Sequence, residues 1–168
     1  ALGRADCVSG SGLCTALFRT TDGTTWQSMP GADFNVAGVR GCAAPCVAHI
    51  RFATAQVGYT YGPDALFVTT DGGFHWTEQA GRGAEALETA DGDVIRLVSS
   101  SSSGCPGPCN VHVETAALGS STWTTVHLQS GDSSPVAVQL SRNGSDAYVL
   151  AMRNTAGGAG NATSTLYV

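Results

Sequence analysis

The sequence contains no lysine, and its eight basic residues are all arginines scattered from Arg4 to Arg153. Without a basic cluster there is no electrostatic footprint for nucleic acid or for an anionic membrane. Charge of any kind is scarce: charged residues make up 12% of the chain, and the net charge is −5. No apolar run approaches the length of a bilayer span, and no segment has the build of a signal peptide, as befits a mature or trimmed chain. An amphipathic helical period is also missing. Gly83–Ala90 comes nearest, but Glu85 and Glu88 have few apolar partners, so a loop is expected there. No cofactor motif is present, and none is expected to bind. What remains is a chain with 42% hydrophobic residues, too many for disorder. Its alanine- and glycine-rich, lysine-free composition fits a high-GC bacterial genome.

Six cysteines fall into three close pairs: Cys7 with Cys14, Cys42 with Cys46, and Cys105 with Cys109. Connectivity does not follow from spacing. Each pair flanks Gly, Pro, Ser or Ala, as in GCAAPC and GCPGPC, where a tight loop brings two Cβ atoms together. A zinc site would need knuckle spacing and partner ligands, and the four histidines are scattered, so disulfides are expected and no metal. Disulfides imply an oxidising compartment, the cell envelope or the exterior.

Internal repetition is the strongest signal. Residues 16–26 read ALFRTTDGTTW, and residues 65–76 read ALFVTTDGGFHW, which places Asp22 and Asp71 49 positions apart. A worn third copy is GSSTW at residues 119–123, with Trp123 47 positions after Trp76. Between the copies run short alternating segments: His49–Thr54, Val57–Tyr61, Ala65–Thr70 and Trp76–Gln79, then Asp93–Ser99, Asn110–Ala116 and Thr122–Leu128. Val136–Leu140 and Ala147–Met152 follow around Asn143-Gly144, and STLYV at 164–168 reads as the strand that leads into a fourth copy. The fold is all-β. A period of about 48 residues suits a four-stranded antiparallel unit.

TTDGGFHW resembles the Asp-box, or bacterial neuraminidase repeat, Ser/Thr-x-Asp-x-Gly-x-Thr-Trp, with His75 in place of threonine; the first copy is one residue short. The resemblance implies a β-propeller of the sialidase-like or photosystem-stability-factor-like kind. Its blades would be a partial one at 1–33, two full ones at 34–80 and 81–130, and a partial one at 131–168. In that family the boxes lie on the blade periphery, so Asp22, Gly23, Trp26, Asp71, Gly72, Gly73, Trp76 and Trp123 are structural. The aspartate gathers turn amides, the glycines permit positive φ, and the indole folds back on its hairpin.

No catalytic constellation appears. The sialidase Phe/Tyr-Arg-Ile-Pro motif is absent, the nearest string being HIRF at 49–52, and no Gly-x-Ser-x-Gly elbow exists. His75, His112 and His127 sit in the box or on strands, and Glu85, Glu88, Asp91 and Asp93 read as a solvated loop. A ligand, glycan or protein, would meet the loops that join one blade to the next, with Arg40, Tyr61, Asp64 and Arg82 as contacts. Three to four blades do not close a ring, which typically has four to eight. A six- to seven-bladed ring is expected, completed by more of the same parent chain, by a cleaved partner or by a second copy. The functions to be weighed are a secreted non-catalytic recognition or scaffold propeller, a sialidase-like hydrolase fragment, and an assembly factor.

Overall fold

Short β-branched and aromatic segments separated by glycine turns build sheets, and strands are the only regular elements among the described residues. The computed structural model describes residues 1–6, 13–29, 35–36, 46–99, 110–126, 137–154 and 162–168. The first sheet holds β1 (Leu2–Asp6), β2 (Leu13–Arg19) and β3 (Gln27–Ser28); β4 (Asn35–Val36) and β5 (Cys46–Val47) form a small parallel pair. The second sheet comprises β6 (His49–Phe52), β7 (Gly58–Tyr61), β8 (Leu66–Thr69) and β9 (Thr77–Glu78). The third comprises β10 (Ala86–Ala90), β11 (Asp93–Ser99), β12 (Val111–Ala117) and β13 (Thr124–Val126). The fourth has β14 (Ala137–Asn143), β15 (Asp146–Asn154) and β16 (Ala162–Tyr167). In these four sheets every strand pairs antiparallel with its chain neighbour. No described helix is long and apolar enough to cross a membrane.

One expectation needs correction. Residues 83–90, expected as a loop, contribute β10. Its pattern is weak because only Leu87 is deeply buried, while the Glu88 side chain pairs with Arg51 across the sheet boundary. The hairpin to β11 closes on Asp91-Gly92, both at positive φ (52° and 88°), which is the backbone of a type I′ turn. The acidic stretch is therefore one hairpin and its turn.

Successive sheets bury their faces against each other. Leu2, Val47, Ala65, Phe67 and Trp76 fill the layer between the first two sheets. Tyr59, Tyr61, Leu66 and Val68 meet Leu87, Val94 and Ala116 in the next. Ile95, Leu97 and Val113 meet Val149 in the third. Because β11 is covered on both faces, it reads as an almost unbroken apolar run, DVIRLVS, with every residue after Asp93 buried. The first strands also touch in order, β10 packing against both β6 and β14.

Leu97 is completely buried between the third and fourth sheets. Leu97→Ala should therefore cost about 2–5 kcal/mol in urea unfolding, with an unchanged far-UV spectrum. A loss near zero would show that this layer is not a packed core.

Candidate functional site

The two ends of the sheets differ in kind. At one end lie the β7–β8 turn, the connector from β9 to β10, and Cys46 of β5. The Gly62 amide donates to the Ala65 carbonyl at 2.9 Å, and the Ala84 amide donates to the Gly62 carbonyl at 2.7 Å. These backbones pass so close that a Cβ on Gly83 would overlap the Gly62 carbonyl, and a Cβ on Gly62 would overlap the Cys46 carbonyl. Two of the expected contacts sit here: Asp64 half-buried in the turn, and Arg82 exposed beside it. Cys46 is disulfide-bonded. Cys7, Cys42, Cys105, Cys109, Arg40 and His127 lie outside the described residues, and of Cys14 only the backbone is described.

Tyr61 is not at the surface. It is 8% exposed, stacked on His49 at 5.1 Å, and burial pushes its phenol up despite the Leu87 amide that donates to it. Tyr61 thus shapes this edge from below, and as an expected ligand contact it is corrected on the ground of burial.

The sequence reading missed the group that holds Arg82. Buried Arg96 on β11 donates through Nη1 to the Arg82 carbonyl at 2.9 Å. Its Nε and Nη2 grip Glu114 Oε2 at 2.8 and 2.6 Å, and its guanidinium lies 4.0 Å over the Trp123 ring. Burial alone would raise Glu114, but hydrogen bonds with Arg96 and His112 outweigh it and hold the carboxyl below its ordinary value. Trp123 is accordingly partly buried against the layer between the second and third sheets. The only signal was an arginine inside an apolar strand.

At the opposite end lie the aspartate turns. Asp22 Oδ1 accepts from the Thr24 and Thr25 amides at 2.8 and 2.7 Å and from the Thr20 hydroxyl at 3.0 Å, while the Gly23 amide donates to Thr20. Asp71 repeats this with one more residue in the loop: Oδ1 accepts from the Phe74 and His75 amides at 2.9 and 3.0 Å and from Thr69, and the Gly73 amide donates to Thr69. His75 Nδ1 lies 2.6 Å from Asp71 Oδ2; against an ionised carboxylate it is the donor, supplying what the Thr25 side chain supplies to Asp22. Gly23, Gly72 and Gly73 have positive φ. Trp76 packs inward, its Nε1 donating to the Gly73 carbonyl at 3.1 Å, whereas Trp26 is 52% exposed. The shorter first turn has the single Gly23 where the second has Gly72 and Gly73. The Gly72 amide also donates to the Gln56 carbonyl of the β6–β7 turn, just as the Leu118 amide donates to Gly92 in the third sheet.

Chemically, the aspartate turns are closed upon themselves. The loop end, by contrast, presents one carboxylate and one guanidinium on a rigid backbone. Among the described residues no cluster of three or more His, Cys, Asp or Glu could hold a metal ion.

Hydrogen bonds from the Thr25 and Thr24 amides hold Asp22 below the ordinary aspartate value, and the His75 amide and ring do the same for Asp71. Their stabilisation is therefore complete above about pH 4 and is lost as pH falls through the depressed native values. Thermal melting should show Asp22→Asn and Asp71→Asn less stable than wild type at neutral pH, the gap narrowing on acidification below about pH 4. A gap independent of pH would show that the ionised carboxylates do not close these turns. In comparisons with known proteins, no family model, curated protein or solved structure matches this chain.

Proposed function

We propose that the sheets are consecutive blades of an Asp-box β-propeller, and that the protein is a secreted or envelope recognition or scaffold module without catalysis. One observation carries the reading: neighbouring sheets close the hairpin after β2 and the hairpin after β8 with the same Thr-x-Asp hydrogen-bond set. The adjacency of the first strands β6, β10 and β14 supports a common axis. The disulfide at Cys46 supports an oxidising compartment. Further blades, from the same parent chain, a cleaved partner or a second copy, complete the ring on this reading. They would cover the apolar outer face of the fourth sheet, where Leu150, Met152 and Leu166 are exposed. Its ligand, glycan or protein, meets the loop end at Asp64 and Arg82.

A hydrolase reading has one observation in its favour: Arg51, Glu88 and Tyr61 lie together on β6, β10 and β7. Against it, the phenol is buried and pushed up, the opposite of an activated nucleophile. Turnover of a fluorogenic sialoside would favour it.

The test is a glycan array and a pull-down from an extracellular extract, repeated with Asp64→Ala and Arg82→Ala. The reading expects binding to weaken at least about tenfold, roughly 1.4 kcal/mol, in one or both variants. Wild-type binding in both would remove the loop end as the ligand face.

A further inference from the structure

We propose that the groove between the first and second sheets, at their aspartate-turn end, is a carbohydrate subsite that seats a pyranose ring against Trp26. This assignment concerns the opposite end of the sheets from Asp64 and Arg82 and does not depend on how many blades close the ring.

The groove has a volume of about 400 Å³ and is walled by Leu17, Trp26, Met29, Ile50 and Phe52, with Arg19 at its rim. That size and lining match small-molecule sites, which run to roughly 300–1,000 Å³ with a few placed polar groups. Trp26 is 52% exposed and Phe52 40% exposed. Phe52 is a fixed platform: it stands edge-on to Trp76 at 6.1 Å, and its ring lies so close over Gly58 that a Cβ there would clash. A wall held in place by its own packing loses little freedom on binding.

The fold does not require this lining. The groove between the third and fourth sheets occupies the same end, has a volume of about 540 Å³, and is lined instead by hydroxyls such as Thr115, Ser120, Thr122 and Thr124. Nor does the turn require an exposed indole, since Trp76 packs inward and donates to Gly73. The aromatic surface of the first groove is thus a local feature of this site.

The polar rim selects the ligand class. Arg19 makes no ion pair among the described residues, and its Nη1 lies across Gly72, where a Cβ would come within 3.5 Å. Thr54 accepts the Gln56 and Val57 amides, so its own proton remains to be given. An apolar peptide side chain would strip water from both groups and offer nothing in return, which is costly. A pyranose has the matching halves. Its C–H face covers the electron-rich indole, and its ring-edge hydroxyls accept from Arg19 and Thr54. Rings with equatorial hydroxyls, of the β-glucosyl and N-acetylglucosaminyl type, present the flattest apolar face.

The chain has three tryptophans, so the indole N–H signals of the ¹⁵N-labelled protein separate this site from the rest. Titration with chitotriose, cellotriose and maltotriose should shift the Trp26 indole and leave Trp123 in place. Trp26→Ala and Arg19→Met should each weaken binding of the responding sugar at least about tenfold, with thermal melting checking that both fold. Arg82→Ala should bind as wild type. Three outcomes would overturn the subsite: no indole shift with any of the three sugars, undiminished binding in Trp26→Ala, or sugar binding lost in Arg82→Ala alone. The last would move the sugar to the loop end and leave the propeller reading intact, whereas Trp26-dependent binding without loss in Arg82→Ala supports the subsite and leaves the propeller reading untouched.

Discussion

The structure turns on a carboxylate that finishes a hairpin the backbone cannot finish alone. A wide turn between two strands as short as β8 and β9 leaves amides with no backbone carbonyl to meet them, and backbone amides need partners. Asp22 and Asp71 each gather two such amides and a threonine hydroxyl. The threonine two positions earlier takes a third amide. The set tolerates a residue more or less because the donors move by one position while the acceptor stays put. That explains how TTDGTTW and TTDGGFHW can be the same device, and why His75 fits where the first copy has Thr25: either side chain can donate to the second carboxylate oxygen.

From the closed turns the layering follows. Once the last hairpin of a sheet is tied to its first hairpin, as Gly72 is to Gln56, the four strands behave as one slab with two faces. The inner strands β7, β8 and β11 are buried on both faces, and the slabs are joined by few but specific polar links. The Gly119 amide donates to the Tyr59 hydroxyl at 2.8 Å, and Arg96 ties β11 and β12 to the connector at Arg82. A buried guanidinium is expensive unless its donors are met, and here two strands, a connector carbonyl and an indole meet them. Such a group contributes little net stability but fixes one register, because sliding either strand by a residue would strand its charge.

Much of this was legible. Asp22, Asp71 and the tryptophans after them marked the turns, and the alternation at Val111, Val113 and Thr115 marked a strand, because those signals are local. β10 was not legible, since a strand that buries little besides Leu87 and spends Glu88 on a partner in another sheet carries no period of its own. Tyr61 was misread for the opposite reason: an aromatic beside Gly62-Pro63 looks like a loop contact until the third sheet is laid over it. Arg96 was invisible as a site because its partners, Glu114, Trp123 and the Arg82 carbonyl, come together only when the sheet folds. Local hydrogen-bond chemistry is written in the chain, whereas burial between sheets is a property of their stacking.

The two ends of the sheets divide the work in a way that this distinction explains. Chain entering and leaving each sheet passes the loop end, so its geometry is set by close backbone approaches at Gly62 and Gly83 and can vary only through side chains such as Asp64 and Arg82. The other end needs only that each turn be closed, and after β2 and β8 the carboxylate does that. Trp26, just beyond the first turn, is then left exposed where Trp76 is drawn into the core. One groove at that end is lined with aromatics and its counterpart with hydroxyls, on the same backbone plan. A turn closed by hydrogen bonds of its own, from a carboxylate after β2 and β8 and from Ala117 and Ser120 after β12, lets the outer surface vary from sheet to sheet without endangering the fold, and that freedom is what a binding surface requires.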